Sequence, residues 1–426
     1  MPHVFISYAH EDKSRLKRVV RVLEDAGMET WYDEEIRVGE RLTEAIFPQL
    51  RSSRCAVFIL TKYSVKSDWV RTEIQYAFDH ATPIVLISFG NVSVPDDFPG
   101  DVDDTLRIAI NRNLSGRKKI EFLEATRRLY DHRKAPVITM LNLKGGVGKT
   151  VLTANLFGCI HETERKSVLL IDLDPQHNLT QLLLSENDMM KAFGASKNIM
   201  SIFRGFGDLS EYPSDSQLKR MLEKCIVPLK SVKPLEPRID LIPGTFEVIT
   251  YFLGEQHQRF ERNSERWVRF RQFVAYCERQ YDYVAIDVNP GATLMTELAL
   301  SVSSHVLSPV RPDRFATYGL SLLDLLLSKV SEDASKIRRL AIMNGVQGNE
   351  RSDIEVELRS SASNGGAVEV LDATIPFSKL MIAGPAKPNA SGDMTFDLAY
   401  RKSRGSGPIQ KRLRAAALEL SEKVGV

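Results

Sequence analysis

Along the first 130 residues, short runs of consecutive apolar residues alternate with stretches whose apolar positions recur every three or four residues. "HVFISYA", "CAVFIL" and "PIVLISF" are continuous runs, the pattern of strands covered on both faces. Between them, Leu16, Val19, Val20, Val22 and Leu23 share one face of a helix spanning Glu11–Ala26. "METWYD" predicts a second strand, followed by the polar, glycine-bearing loop "DEEIRVGERL" and a helix running to Leu50. "SDWVRTEIQYAFDH" predicts a helix, "TLRIAI" a strand after a loop near Pro95–Asp104, and Ser115–His132 a charged helix. Strands that alternate with helices pair in parallel, because each crossover packs a helix back over the sheet.

The rhythm then starts again. "VITML", "SVLLIDLDPQ", "YDYVAIDVNP", "HVLSPVRPD" and "RRLAIMNGV" are five further strand runs, while Ser185–Pro237 is helical only in places. The loop "AGPAKPNASGDM" leads to a terminal helix, "PIQKRLRAAALELSEKV". A chain of 426 residues exceeds what one hydrophobic core organises. The pattern therefore predicts two parallel-sheet α/β domains, residues 1–134 and 135–426. Their connector, "HRKAP", is short and ends in Pro136, unlike a Gly/Ser tether that would leave the halves independent. Movement in one half is expected to reach the other.

Composition narrows the picture mainly by exclusion. Lys and Arg, 57, nearly balance Asp and Glu, 55, so bulk charge nominates neither nucleic acid nor membrane as partner. There is no bilayer-length apolar run, and "MPHVFISYAHEDK" lacks a secretory core. Cys55, Cys159, Cys225 and Cys277 are scattered, which suits a reducing cytoplasm rather than a zinc site or disulfide frame.

The chemistry gathers first at "VITMLNLKGGVGKTVLTANL". A strand, a glycine turn and a helix form the context of a phosphate-binding loop, although Leu143 stands where the generic pattern has its first glycine. Lys144, Gly145, Gly146, Val147, Gly148, Lys149, Thr150 and Val151 would surround the phosphates. Glycines let backbone N–H groups turn inward, and the following helix points its positive end at the anion. Lys149 would reach the β- and γ-phosphates, and the Thr150 hydroxyl would ligate Mg²⁺. With "DLDPQHN", "YDYVAIDVNP", "IDLIPGT" and "VRPDRFATYGL", the stretch 136–426 resembles the ParA/MinD group of deviant Walker ATPases. That resemblance implies ATP and Mg²⁺ as ligands and gives Lys144 the role of reaching a partner's nucleotide in an ATP-bound dimer. It assigns Asp174 to positioning the attacking water, Asp172 to the neighbourhood of Mg²⁺ and the γ-phosphate, and Asp287 to Mg²⁺ through water. Two positions depart from the group: Val151 replaces a usual threonine, and "DVNPG" replaces the commoner D-x-P-P. Neither removes a phosphate or metal ligand.

The residues in front resemble a different family. "VFISYAHED", "WYDEEIRVGERL", "AVFILTKYSVKSDWVRTE" and "PIVLIS" are similar, in order, to the segments of a TIR domain, which implies a flavodoxin-like sheet over the first 134 residues. TIR domains either assemble with one another or cleave NAD⁺ at the nicotinamide–ribose bond. In the enzymatic ones a glutamate follows the third strand, and "SDWVRTE" puts Glu73 there. Loss of nicotinamide leaves an oxocarbenium-like ribosyl cation, which a carboxylate stabilises. Trp69 lies one helical turn before Glu73, where it either walls the NAD⁺ pocket or belongs to the core. Ser7 and Tyr8 end the first strand, where open α/β sheets bind ligands, or merely terminate it. The loop Asp33–Arg41 would cover the cleft or touch a neighbouring TIR domain, while Glu34 and Glu35 read most simply as exposed.

Joined, the two resemblances imply an NAD⁺ nucleosidase controlled by ATP-dependent assembly into a homodimer or larger homo-oligomer. Its expected setting is bacterial defence against phage, in the cytoplasm, with a DNA or protein trigger. The alternative is a positioning or scaffolding ATPase whose TIR domain is a non-catalytic adaptor. Arg401, Lys402, Arg404, Lys411, Arg412 and Arg414 cluster near the C-terminus, as a DNA contact or as a solvated face.

Overall fold

The computed structural model describes residues 3–33, 42–80, 82–92, 106–110, 114–130, 134–204, 215–229, 237–253, 265–313, 320, 322–323, 325–327, 336–346, 353–363, 368–378, 387–388, 394–395 and 407–425. The described residues form two compact units. One draws on Met1–Arg133, Gly205–Arg220 and Glu261–Arg279, the other on Lys134–Arg204, Met221–Phe260 and Gln280–Val426. Among them, no helix is long and apolar enough to cross a membrane.

In the first unit, β1 (Val4–Ser7), β2 (Thr30–Trp31), β3 (Cys55–Leu60), β4 (Ile84–Phe89) and β5 (Leu106–Ile110) form one parallel sheet in the order β2-β1-β3-β4-β5. This is the flavodoxin-like order, in which strand direction of travel reverses between β1 and β3. Alternation along each strand decides what each face buries. Val4, Ile6, Val57, Ile59, Val85 and Ile87 pack with helices α1 (Lys13–Glu24) and α4 (Gly116–Tyr130). Phe5, Ala56, Phe58, Leu60 and Leu86 pack with α2 (Leu42–Ser52) and α3 (Asp68–Asp79). Full burial of a side chain such as Phe58 contributes about 2–3 kcal/mol. Ser7 shares the parity of Phe5, so its hydroxyl faces the α3 side. The helix begins cleanly, because the Ser67 hydroxyl caps Val70 N–H.

In the second unit the sheet runs β13-β12-β11-β6-β10-β7-β9-β8, parallel throughout except where β8 (Val227–Pro228) pairs with β9 (Ile239–Ile242). Its centre is β6 (Val137–Met140), flanked by β10 (Tyr283–Asp287) and β11 (His305–Val310). Next come β7 (Val168–Asp172), β12 (Arg338–Val346) and β13 (Val368–Pro376). The sequence pattern did not predict β9 or β13. "IDLI" is interrupted by Asp240, and Val368–Pro376 by Glu369, Asp372 and Thr374. Helix α5 (Lys149–Glu164) is buried nearly all round, in one core with the terminal helix Pro408–Val424. The parity of Tyr283 and Ala285 carries Asp287 to the α5 face, and that of Val168 and Leu170 carries Asp172 there too.

Candidate functional site

Glu73 sits at the carboxyl end of the first sheet, at the β1/β3 reversal, and is only 4 % exposed. Ser7 Oγ donates to its Oε2 at 2.5 Å, and Trp69 Nε1 donates to its Oε1 at 2.9 Å. Burial pushes the carboxyl up from 4.5 to about 7, against the two hydrogen bonds; the nearby Asp33 charge adds to the rise. Trp69 is half-buried and stacks on Phe47, which stacks in turn on Tyr76 with centroids 4.1 Å apart. It is therefore both a packed aromatic and a polar partner of the carboxylate. Tyr8 points the other way, as strand parity requires, and its hydroxyl donates to Asp33 O at 2.6 Å. The structure does not bring it to Glu73. Loop residues 34–41, Glu34 and Glu35 among them, lie outside the described residues.

Sequence reasoning passed over Asp12, which is fully buried. It accepts from Thr61 Oγ1 at 2.6 Å and from Arg15 at 2.5 Å. Thr61 in turn receives the amides of Tyr63 and Ser64, so Asp12 braces the turn leading into α3. The signal was present, an acid between a strand and a helix in "YAHEDK", but nothing local distinguishes it from the exposed Glu11 beside it.

The second unit's site surrounds the turn between β6 and α5. Gly146 and Gly148 take φ of +72° and +90°, which side chains with a Cβ rarely adopt. A Cβ on Gly148 would also run into Asn344 Nδ2, which donates to Val147 O at 2.7 Å. Asn344, at the end of β12, thus holds the loop; the sequence alone carried no sign of it. Lys149 is buried, with Nζ donating to Asn142 O at 3.1 Å. Burial pulls its pKa down, opposed by Asp287 and Asp174. Thr150 Oγ1 donates to Asp287 Oδ2 at 2.7 Å, and Thr153 Oγ1 to Oδ1 at 3.3 Å. Gly145 and Lys144 are exposed, and Lys144 pairs with the carboxylate of Asp313 in its own chain. Val151 is half-buried and packs against the core, so only its backbone is polar.

Asp172 lies opposite Asp287 in the sheet register and is fully buried. Its Oδ2 accepts from Thr180 N at 2.8 Å and Thr180 Oγ1 at 2.7 Å, and its Oδ1 from Asp174 N at 3.2 Å. Thr180 Oγ1 also receives Gly244 N at 2.9 Å. Asp172 therefore ties together the segments after β7 and β9. Asp174 accepts from Gln176 N and Asn178 Nδ2, both at 2.9 Å. Burial raises Asp287 to about 7 and Asp172 well above the ordinary carboxylate range, each reinforced by neighbouring carboxylates.

This donor set fits a polyphosphate with Mg²⁺. The Thr150 hydroxyl and Asp287 carboxylate offer hard oxygen donors side by side, and Mg²⁺ takes few protein ligands beside water and phosphate. Lys149 and the N-terminus of α5 supply the positive charge for phosphates. Of the basic cluster, Lys411, Arg412 and Arg414 are exposed on the terminal helix, while Arg401, Lys402 and Arg404 lie outside the described residues.

A glycine loop opening a buried helix, behind a central parallel strand and beside a strand-end aspartate, defines a P-loop nucleotide-binding fold. The unit ahead of it is a flavodoxin-like α/β sheet with a buried glutamate at its reversal point. Comparison with known proteins assigns both. An AAA domain family matches residues 135–340 and a TIR domain family residues 4–122. The sporulation initiation inhibitor protein Soj of Bacillus subtilis is 29% identical over 188 residues, 44% of this chain and 62% of that protein. The chromosome partitioning protein ParA of Myxococcus xanthus is 27% identical over 196 residues, 46% of this chain and 59% of that one. The structure of pNOB8 ParA superimposes with a TM-score of 0.51 at 22% identity, covering 68% of this chain and 99% of that chain. This chain spans 54–66% of the length of the first curated relatives it matches. It carries a TIR domain over residues 4–122 and a ParA/MinD-like AAA domain over residues 135–340.

Proposed function

We propose that this protein is an NAD⁺ nucleosidase whose TIR domain is controlled by ATP-dependent self-association of its ParA/MinD-like domain. The reading rests above all on Glu73, a buried carboxyl at the sheet reversal, oriented by Ser7 and Trp69 and titrating near neutral pH. Ionised, it would stabilise the ribosyl cation left when the bond to nicotinamide breaks, and water would take up that cation to give ADP-ribose and a proton. In the P-loop domain, Lys149 and the loop amides would bind ATP, and Thr150 with Asp287 would hold Mg²⁺. That ion would neutralise charge on the β- and γ-phosphates. Asp174 would orient the attacking water, and the exposed Lys144 would leave Asp313 to reach a partner's nucleotide. The bacterial sources of Soj and the Myxococcus ParA support a bacterial setting, where NAD⁺ destruction would serve as phage defence.

Nicotinamide release, followed with and without ATP and Mg²⁺, tests this directly. Release is expected to require ATP, Glu73 and Lys149, and to disappear in Glu73→Ala and Lys149→Ala. ATP binding without release at any protein concentration would leave the TIR domain an adaptor. A second reading, non-specific DNA binding, is favoured by the exposed Lys411, Arg412 and Arg414. It requires duplex binding that weakens steeply with salt, and no binding at low salt with ATP would rule it out.

A further inference from the structure

A further helix, Glu265–Cys277, lies in sequence inside the segment matched to the AAA domain, yet it compacts with residues of the first unit. We propose that this helix, through Arg271 and Gln272, is a positioning element for Glu73 that couples the phosphate site to the TIR carboxylate; the coupling rests on the function proposed above.

The contact is specific in its hydrogen bonding. A helix leaves its last four carbonyls without intrahelical partners, and when buried each needs a donor from elsewhere. In α3 these are Tyr76, Ala77, Phe78 and Asp79. The amides of His80 and Thr82 reach Tyr76 O and Ala77 O at 3.1 and 2.9 Å. Phe78 O accepts from Gln272 Nε2 at 3.1 Å, and Asp79 O accepts from Arg271 Nε at 3.0 Å. The guanidinium also sits at the negative end of the α3 dipole, where a cation is favoured. So the end of the helix that carries Trp69 and Glu73 is completed by donors from Glu265–Cys277. Glu73 and Asp79 are six residues apart, about 9 Å along a single rigid helix.

The other end of the link is covalent. Residues 278–282 join Cys277 to β10, and the last residue of β10 is Asp287, which accepts from Thr150 and Thr153. Engagement of Thr150 and Asp287 by a phosphate-bound cation would change those two hydrogen bonds. The strand that would feel the change is the one that continues from the helix holding α3. Both sites then bias one mechanical element, which is what coupling requires. The connector before Pro136 need not carry the signal.

The full-length protein and the double variant Arg271→Met/Gln272→Met would be compared by amide hydrogen exchange of residues 68–80, with and without ATP and Mg²⁺, alongside nicotinamide release. In the wild type, ATP should alter exchange in 68–80 and raise release. In the double variant ATP affinity should hold within about twofold, while the exchange response is lost and kcat for release falls about tenfold with KM for NAD⁺ little changed. Arg271→Lys, which keeps a donor and a charge, should restore most of the response. If the double variant does not fold by thermal melting, Gln272→Met alone should give the same loss in weaker form. An exchange response that persists in a folded variant overturns the coupling, as does a wild type that binds ATP without any response in 68–80. A response that depends on Arg271 and Gln272 in a protein that never releases nicotinamide supports the coupling and removes the nucleosidase reading. Release in which the variant behaves as the wild type removes the coupling and leaves that reading standing.

Discussion

Glu73 holds its proton to about pH 7 in the folded chain, whereas an unfolded chain gives it up near 4.5. Between those values the native state binds more protons than the unfolded one, so stability falls as pH rises and levels off above the folded pKa. The span corresponds to roughly 3 kcal/mol. Urea unfolding of the wild type at pH 4.5 and 7.5 should differ by more than that of Glu73→Gln, which has no proton to lose; equal pH dependence would contradict the buried, shifted carboxyl. Ser7→Ala removes a hydrogen bond that favours the ionised form, so the acid limb of nicotinamide release should move to higher pH. Asp287 follows the same logic in the P-loop domain, its carboxyl being raised from 3.8 to about 7. Binding of Mg²⁺ needs the ionised form, so ATP–Mg²⁺ affinity should strengthen from pH 6 to 8 with proton release measurable by calorimetry in different buffers. Asp287→Asn should abolish both effects. Of these residues, Glu73 and Asp287 were singled out by the family resemblances, Trp69 by its helical spacing from Glu73 and Ser7 by its place at a strand end. Their protonation was not legible there, since it comes from burial by residues distant along the chain.

At the scale of elements, the P-loop works because one backbone turn is held from two sides. Gly148 provides the left-handed conformation, and Asn344 on β12 fills the space where a side chain would sit. Gly148→Ala therefore meets both strain and collision. ATP affinity should fall at least about tenfold and the melting temperature should drop, with a cost of about 1–3 kcal/mol. Unchanged affinity would mean the loop is softer than its hydrogen bonding implies. Thr180 is the matching joint between the ends of β7 and β9. Thr180→Val keeps the volume but strips Asp172 and Gly244 N of a buried partner, a loss of about 2–4 kcal/mol visible in the melting temperature. The strands flanking these joints were legible where apolar runs were long. The charge-interrupted "IDLI" and Val368–Pro376 were not, because their pairing is decided by neighbours rather than by their own pattern.

For the whole molecule, the decisive quantity is whether nucleotide changes association. Sedimentation velocity with ATP and Mg²⁺ should show a larger species that Lys144→Ala does not form, because that lysine is exposed and its ammonium pairs at the surface with Asp313 of its own chain. An identical distribution for both proteins would break the link between Lys144 and assembly. The amino-acid sequence by itself determined that there are two α/β sheets, that a phosphate loop opens the second, and that a glutamate follows the third strand of the first. Those features are local: apolar runs, helical spacing and glycines act over a few residues. Only the tertiary structure decided which side chains meet. It joined Ser7 to Glu73, turned Tyr8 away, committed both oxygens of Asp172 to protein donors, set Asn344 under the loop, and placed Arg271 and Gln272 at the end of α3. Each of those contacts spans elements far apart in the chain or hangs on strand parity and burial, and no local pattern encodes a partner that arrives only when the core closes.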